Sequence, residues 1–450
     1  MSSATRQMHL GAFLYQSGHH LAAWRHPDAV PDAALNFPFY AQLAQTAERG
    51  LFDMVFLADT VALQDSDPER LKRLSYTAWI EPFTMITALS TATRHIGLIC
   101  TASTSFDHPY YLARRFASLE AINGGRSGWN LVTSTNPHEA PNFGHDSLPF
   151  KSERYVRARE FAAVVKGLWD SWEDDAFTRD QAEGLYFRPE KLHQLNHEGQ
   201  YFKVRGPLVV SRSPQGQPVL VQAGASDEGR DVASELGEVV FTAQPTLQGA
   251  QEFYRDIKTR AANAGRDPDH VKVMPGFAIV VGESQAEADD KLGQLQKLIH
   301  PELGVQQLSY LLGFDLRGYP IDGPLPDISQ RSGTGGHTDS SRGHLLAATA
   351  QRDKLTIRQL YEHIALGRGH HPVTGTPARI ADEMEAWFKA DAADGFNVMC
   401  MLLPTGLDDF VRLVVPELQR RGLYRTRYTG TTLREHLGLP RPANRFTAAA

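Results

Sequence analysis

"YYLARRFASLEAINGGRSGWNLVTS", Tyr110 to Ser134, is the stretch whose reading decides the fold. Its first half is an amphipathic run that closes on Gly124 and Gly125, as a helix does when it ends in a left-handed residue. Its second half, "SGWNLVTS", is β-rich and sets Asn130, Val132 and Ser134 on one face of a strand. The same succession recurs along the chain. Strands are expected at 8–15, 54–59, 96–103, 127–134, 218–224, 239–244, 273–282 and 397–403, with runs such as "YAQLAQTAERG", "PFTMITALSTATR" and "GAQEFYRDIKTRAANAG" between them. Strands rich in Val, Ile and Leu that alternate with helices make a parallel sheet covered by helices. Eight of them imply an α/β fold, the (β/α)8 TIM barrel with insertions.

The chain has 450 residues, well beyond the ~250 of a minimal barrel, so the excess belongs to insertions within one domain spanning 1–450. Residues 176–216 have no helical period and read as added strands beside the barrel. Residues 300–350 contain "SGTGGHTDSSRG" and read as a long irregular insertion, a lid over the site in preference to a disordered link. With 42% hydrophobic and 22% charged residues, the chain can bury a large core. Its net charge of -6, without a Lys/Arg cluster, argues against nucleic acid as a partner. No apolar run approaches the ~20 residues of a membrane helix, and the polar N-terminus lacks a secretory pattern, so a cytoplasmic protein is expected. Cys100 and Cys400, each inside an apolar run, are expected as buried free thiols.

In a barrel of this kind chemistry occurs at the carboxyl ends of the strands. Those ends carry Asp59, Thr101 and Ser103, Asn130 and Ser134, Gly224 and Ser226, and Gln244. Neutral hydrogen-bonding groups with one carboxylate suit a heteroaromatic ligand with amide-like edges better than a metal. "QAGASDEGR" (222–230) leaves a strand and enters a helix, where free N–H groups, Ser226 and Arg230 could hold a phosphate. Equally, Ser226 or Asp227 could be an ordinary N-cap. "YQSGHHLAAWRHPDA" follows the first strand, and His19 or His20, ahead of His26, is the candidate for proton handling. "RGHHPVTGTP" adds His370 and His371. There is no Cys/His metal framework, H-E-x-x-H, G-x-S-x-G, Walker loop or G-x-G-x-x-G after a strand. A Rossmann nicotinamide site is therefore unsupported.

Motifs in order along nearly the whole chain, including "RQMHLGAFL", "FDMVFLADTVALQD", "EPFTMITALSTATRHIGL", "GGRSGWNLVTS", "RYVRAREF", "VLVQAGASDEGR" and "GTPARIADEMEAWF", resemble the bacterial luciferase-like flavin-dependent monooxygenases. Within that family they are similar to the branch of nitrilotriacetate monooxygenase and dibenzothiophene-sulfone monooxygenase. The resemblance implies FMN in the barrel, with Asp59, Thr101 and Asn130 along the isoalloxazine and ribityl groups. It also implies Ser134, Tyr155, Gly224 and Ser226 on the ribityl chain and phosphate, with Trp129 packed outward. Reduced FMN would come from a separate NAD(P)H:flavin reductase and react with O2 to a C4a-(hydro)peroxide that oxygenates a small sulfur- or nitrogen-containing substrate. A homodimer or homotetramer is the implied assembly. Lys151 stands where the sulfone enzyme has histidine, and Leu311 and Leu312 where it has another, so the substrate does not transfer from that relative.

Other classes remain open on sequence. A hydrolase with paired carboxylates suffers from offering only Asp59 at the strand ends. A flavin-binding carrier or sensor without oxygenase activity would keep the flavin contacts, and a deazaflavin barrel would lack these insertions. A flavin titration separates the hydrolase from the rest, and oxygen consumption separates the last two from a monooxygenase.

Overall fold

The computed structural model describes residues 6–328, 341–367 and 369–447. Eight parallel strands close on themselves: β1 (His9–Phe13), β2 (Met54–Leu57), β3 (Gly97–Ser103), β4 (Ser127–Val132), β5 (Val219–Gln222), β6 (Val239–Thr242), β7 (Lys272–Val281) and β8 (Gly395–Cys400). Each pairs with the next, and β8 returns to β1 through His9↔Gly395 to Ala12↔Val398. All eight expected strands therefore exist, within a few residues of the expected ends.

Alternation sorts each strand into two layers. Met54, Phe56, Ile99, Val219, Val221, Val239 and Met274 fill the lower barrel, which Leu433, Leu437 and Leu439 plug from the C-terminal helix Leu433–Leu437. Phe241, Ala278, Val280, Met399 and Met401 form the upper layer. Trp129 points the other way, against Phe116, Phe161 and Trp169, and its Nε1 donates to the Ala102 carbonyl at 3.1 Å. The opening stretch folds as read: helix Pro109–Asn123 buries Leu112, Ala113, Phe116 and Leu119, ends at Gly124 with φ of 72°, and feeds β4.

Two segments depart from the sequence reading. His371–Gly375 forms a further parallel strand along the upper half of β7; Pro372 and flanking glycines hid it. Within 300–350 the flanks are helical, Pro301–Leu312 and Ser341–Asp353, because "PELGVQQLSYLL" carries a helical period that the glycine-rich run overshadowed. With helix Ile357–Ala365 they bury Leu303, Leu308, Leu360 and Tyr361 against Leu21, Leu71 and Tyr76 in a satellite core. Most of "SGTGGHTDSSRG" falls outside the described residues. The 176–216 insertion contains the antiparallel pair His197–Glu198 and Lys203–Val204. Cys100 and Cys400 are buried and unbridged, and burial pushes both thiols up. Among the described residues, no helix is long and apolar enough to cross a membrane and no His/Cys/Asp/Glu group could hold a metal.

Candidate active site

The floor of the barrel mouth is aromatic. Phe13 lies 4.8 Å from Phe56, 5.6 Å from Phe241 and 4.6 Å from the His19 ring, all edge to face. His370 stacks on Phe241 at 5.1 Å with 19° between planes. It can do so because Gly276 of β7 carries no side chain; a Cβ there would collide with the imidazole and with Met399. Two histidines from distant segments thus share one floor. His371 instead turns outward, its Nε2–H donating to Glu383 Oε1 at 2.9 Å.

His19 is 3% exposed, and its backbone N–H donates to the Cys400 carbonyl at 3.0 Å, so the loop after β1 is tied to the end of β8. Its Nε2–H donates to the Phe13 carbonyl at 2.9 Å. The buried His20 uses Nδ1 to accept from the Ala22 N–H at 3.1 Å. His26 lies further out, 3.3 Å from Gln294 Oε1.

One wall is neutral and polar. Thr101 Oγ1 donates to the Leu57 carbonyl at 2.8 Å and accepts from Asn130 Nδ2 at 2.8 Å. That pair fixes the Asn130 amide and leaves its Oδ1 buried without a hydrogen-bond partner. A buried acceptor left unmade costs about 1–3 kcal/mol, and a ligand donor at Asn130 Oδ1 could offset that cost. Further along, Ser103 and Ser134 hydroxyls meet at 2.7 Å. Ser134 has φ of 57°, in the left-handed region that a serine rarely adopts. Arg154 Nη1 holds its carbonyl at 2.8 Å, while Arg154 Nε is buried without an acceptor.

Next comes a cradle at the start of helix Asp227–Leu236. Gly224 N–H donates to Gln222 Oε1 at 2.6 Å, folding the loop back on its strand. Ser226 is the N-cap, accepting from Gly229 N at 3.3 Å. A Cβ placed on Gly229 would stand 2.9 Å from Gly224 Cα, 3.0 Å from Tyr155 Oη and 3.2 Å from Ser226 Oγ, so two hydroxyls converge on a bare backbone. The acids of the first turn are neutralised: Glu228 by Lys151 at 2.8 Å and Asp227 by Arg260 at 2.8 Å. The partial positive charge of the helix N-terminus is thereby left for an anion. Arg230 is not part of this cradle; it donates to Ala225 O at 3.1 Å and pairs with Asp256 at 2.9 Å. Lys151 is likewise engaged with Glu228.

Asp59 stands two residues past β2 in a pocket of about 120 Å3 with Tyr15, Trp79, Ile80 and Met85. Trp79 Nε1 donates to Asp59 Oδ1 at 2.9 Å. Burial, with the charges of Glu81 and Glu139 adding to it, pushes this carboxyl up to about 6. Glu139 is an acid that strand-end reasoning missed. It is buried, takes the Thr60 hydroxyl at 2.6 Å and the Val61 N–H at 3.2 Å on Oε1, and leaves Oε2 unpartnered. Asn397 of β8 was missed too: it lies over Gly11 with neither amide atom bonded. Both sit in loops or runs that look unremarkable as sequence. Gln244 only donates to Thr242 at 3.0 Å. A larger cavity of about 950 Å3, between residues 64–72, His138 and helix Pro301–Leu312, shares Gln64 with the Asp59 pocket.

Comparison with known proteins agrees with this arrangement. The family model described as luciferase-like monooxygenase matches residues 17–394. The chain is 49% identical to N-acetyl-S-(2-succino)cysteine monooxygenase of Bacillus subtilis (strain 168), covering 99% of this chain and 100% of that one. It is 48% identical to nitrilotriacetate monooxygenase component A of Aminobacter aminovorans, covering 98% of each. A crystal structure of riboflavin lyase with modified FMN and riboflavin superimposes with a TM-score of 0.83 at 31% identity, covering 96% of both chains.

Proposed function

The chain belongs to the luciferase-like monooxygenase family, and from that premise we propose that it is the oxygenase of a two-component system. It takes reduced FMN from a separate reductase, uses O2, and oxygenates a small organic substrate that carries sulfur or nitrogen. The observation that carries the reading is the pairing of a buried, unpartnered Asn130 acceptor on a neutral wall with the two-hydroxyl cradle of Tyr155 and Ser226 at a helix N-terminus. That donor set fits FMN: Asn130 Oδ1 would accept an N–H of the ring system, and the Ser226 and Tyr155 hydroxyls at the start of helix Asp227–Leu236 would hold the phosphate. Ser134 and Arg154 lie where the ribityl chain would pass. When bound, reduced FMN supplies the electrons that activate O2.

The protein's share is orientation, exclusion of water and proton handling. Phe13, Phe56 and Phe241 keep the floor dry. His19, its ring oriented by the Phe13 carbonyl, is the first candidate to take or give a proton at the mouth; His20, one residue on, is the other candidate. Asp59, held near neutral pKa, is a second group able to exchange a proton close to physiological pH. The 950 Å3 cavity, adjoining the Asp59 pocket at Gln64, gives substrate a way in beside helix Pro301–Leu312. Names of relatives at 48–49% identity include both a thioether and an amine substrate, which supports the stated substrate class. The non-oxygenating carrier is not favoured by relatives named as monooxygenases across the full chain.

The test is rapid mixing of the protein with anaerobically reduced FMN and then oxygenated buffer. A transient with absorbance distinct from free reduced and oxidised flavin, decaying to product when a thioether or tertiary amine is present, is the expected result. Reoxidation at the rate of free flavin, with and without those substrates, overturns the reading.

A further inference from the structure

The opposite end of the barrel holds a cavity that the reaction at the mouth does not use. Its volume is about 600 Å3. Gln217, Glu238 and His270, which help wall it, stand just before β5, β6 and β7. It is therefore separated from the Ser226 cradle by the length of a four-residue strand, about 13 Å.

The cavity is lined by four carboxylates and four strong cations, but their ion pairs are unevenly shared. Three of its carboxylates are committed, Glu238 to Arg434 at 2.6 and 2.9 Å, Glu235 to Arg159 at 3.0 Å, and Asp170 to Arg212 at 3.0 Å and Gln217 at 3.0 Å, while Asp267 at the rim accepts from the Asp269 N–H and lies 3.8 Å from His270. Its other cations are not committed. Among the described residues Lys166 Nζ and the Arg445 guanidinium make no hydrogen bond or ion pair, and Arg266 uses only Nη1, on the Ser234 carbonyl at 2.7 Å. Lys166 and Arg266 are both half-buried, and burial lowers the pKa of each. Two half-buried cations that face one space without a direct ion-pair partner are costly to fold around. An anion in that space would offset the cost. The cavity is larger than a free phosphate needs, and Leu220, Leu236, Pro440 and Pro442 supply an apolar side to it.

We propose that this cavity binds a phosphate-ester anion of about nucleotide size, with Lys166, Arg266 and Arg445 on the phosphate and the leucine and proline side against the organic part. A guanidinium fork and an ammonium are suited to phosphate oxygens. The site is distinct from the flavin mouth, and a ligand here would act on the barrel from its plugged end.

The experiment uses the full chain loaded with one equivalent of FMN and freed of excess, because FMN is itself a phosphate ester and an excess would fill the second site. Calorimetric titration with pyrophosphate and with adenosine 5′-monophosphate, at ionic strength matched with sodium chloride, is expected to give one equivalent bound with Kd below about 1 mM. Lys166→Gln and Arg266→Gln should each weaken both probes by about tenfold or more, with FMN affinity unchanged. Lys166→Met should raise Tm without any anion, since it removes an uncompensated charge, and should abolish the further rise that pyrophosphate gives the parent protein. Absence of binding heat, an equal Tm rise from chloride alone, or probe binding that survives in the doubly substituted protein overturns the proposal.

Discussion

Gly229→Ala is the substitution that probes the flavin cradle most directly. The added methyl would lie 2.9 Å from Gly224 Cα, against an optimum of about 3.5–4.0 Å between carbons. Because that neighbour is backbone, the loop must shift, at about 1–3 kcal/mol for overpacking. Replacing glycine inside a helix returns up to about 1 kcal/mol. Net stability of the flavin-free protein should therefore fall by roughly 0–3 kcal/mol, a small change in Tm for a chain of this size. Binding should suffer more. The same methyl stands 3.0 Å from Tyr155 Oη and 3.2 Å from Ser226 Oγ, and fills the place where a phosphate oxygen would sit. Losing one hydrogen bond to a charged group costs about 1.5–3 kcal/mol, or about 10- to 150-fold in Kd. Titration of FMN by quenching of its fluorescence measures this, with Tyr155→Phe as the control that removes one hydroxyl without crowding. FMN affinity equal to the parent's in Gly229→Ala, with a raised Tm from helix propensity alone, would refute placement of the phosphate at this helix.

Three further outcomes follow from the same structure. Asp59→Asn should leave stability unchanged near pH 4 and gain on the parent between about pH 4 and 6, the interval between the ordinary value of 3.8 and the folded value of about 6. In that interval the unfolded carboxyl ionises first, so the parent loses stability as pH rises; the gap at pH 7.5 should be on the order of 3 kcal/mol before solvent screening and less after it, and a pH-independent gap in Tm would contradict the burial argument. His19→Asn should uncouple flavin oxidation from product, raising hydrogen peroxide per NADH consumed; unchanged coupling assigns the proton to another group. Trp129→Ala should cost about 3–5 kcal/mol in urea unfolding, since the ring is fully buried among Phe116, Phe161 and Trp169. A loss below about 1 kcal/mol would mean that this side of the barrel is loosely packed.

How much of the site was legible depended on whether its chemistry is local. Asn130, Thr101 and Ser134 could be read because strand alternation fixes their face once the strand is recognised, and both Ser226's cap geometry and its place at a helix start follow from "GASDEG". The family resemblance supplied Tyr155, for which no local pattern speaks. Glu139 and Asn397 were not legible: their importance lies in unpartnered atoms, and partnership is set by residues 78 or more positions away, as in the Glu139 contact with Val61. The extra strand His371–Gly375 escaped because Pro372 and Gly375 mark it as a breaker, while its pairing with Phe277–Val281 overrides that preference.

The order of strands and helices, and hence the barrel, was determined by the sequence alone, because hydrophobic periodicity is written every few residues and parallel βα units close in few ways. Which end of each strand carries polar groups was determined as well. Only the tertiary structure decided that His19 and His370, some 350 positions apart, share one aromatic floor, and that Gly276 exists to admit the second ring. Only it showed that Arg230 and Lys151 spend their charge on Asp256 and Glu228, while Lys166 and Arg266 keep theirs for the far end of the barrel. The physical reason is that charge and burial belong to the space around a side chain; a residue's type gives its capacity for an interaction, and its neighbours in the fold determine whether that capacity is already used.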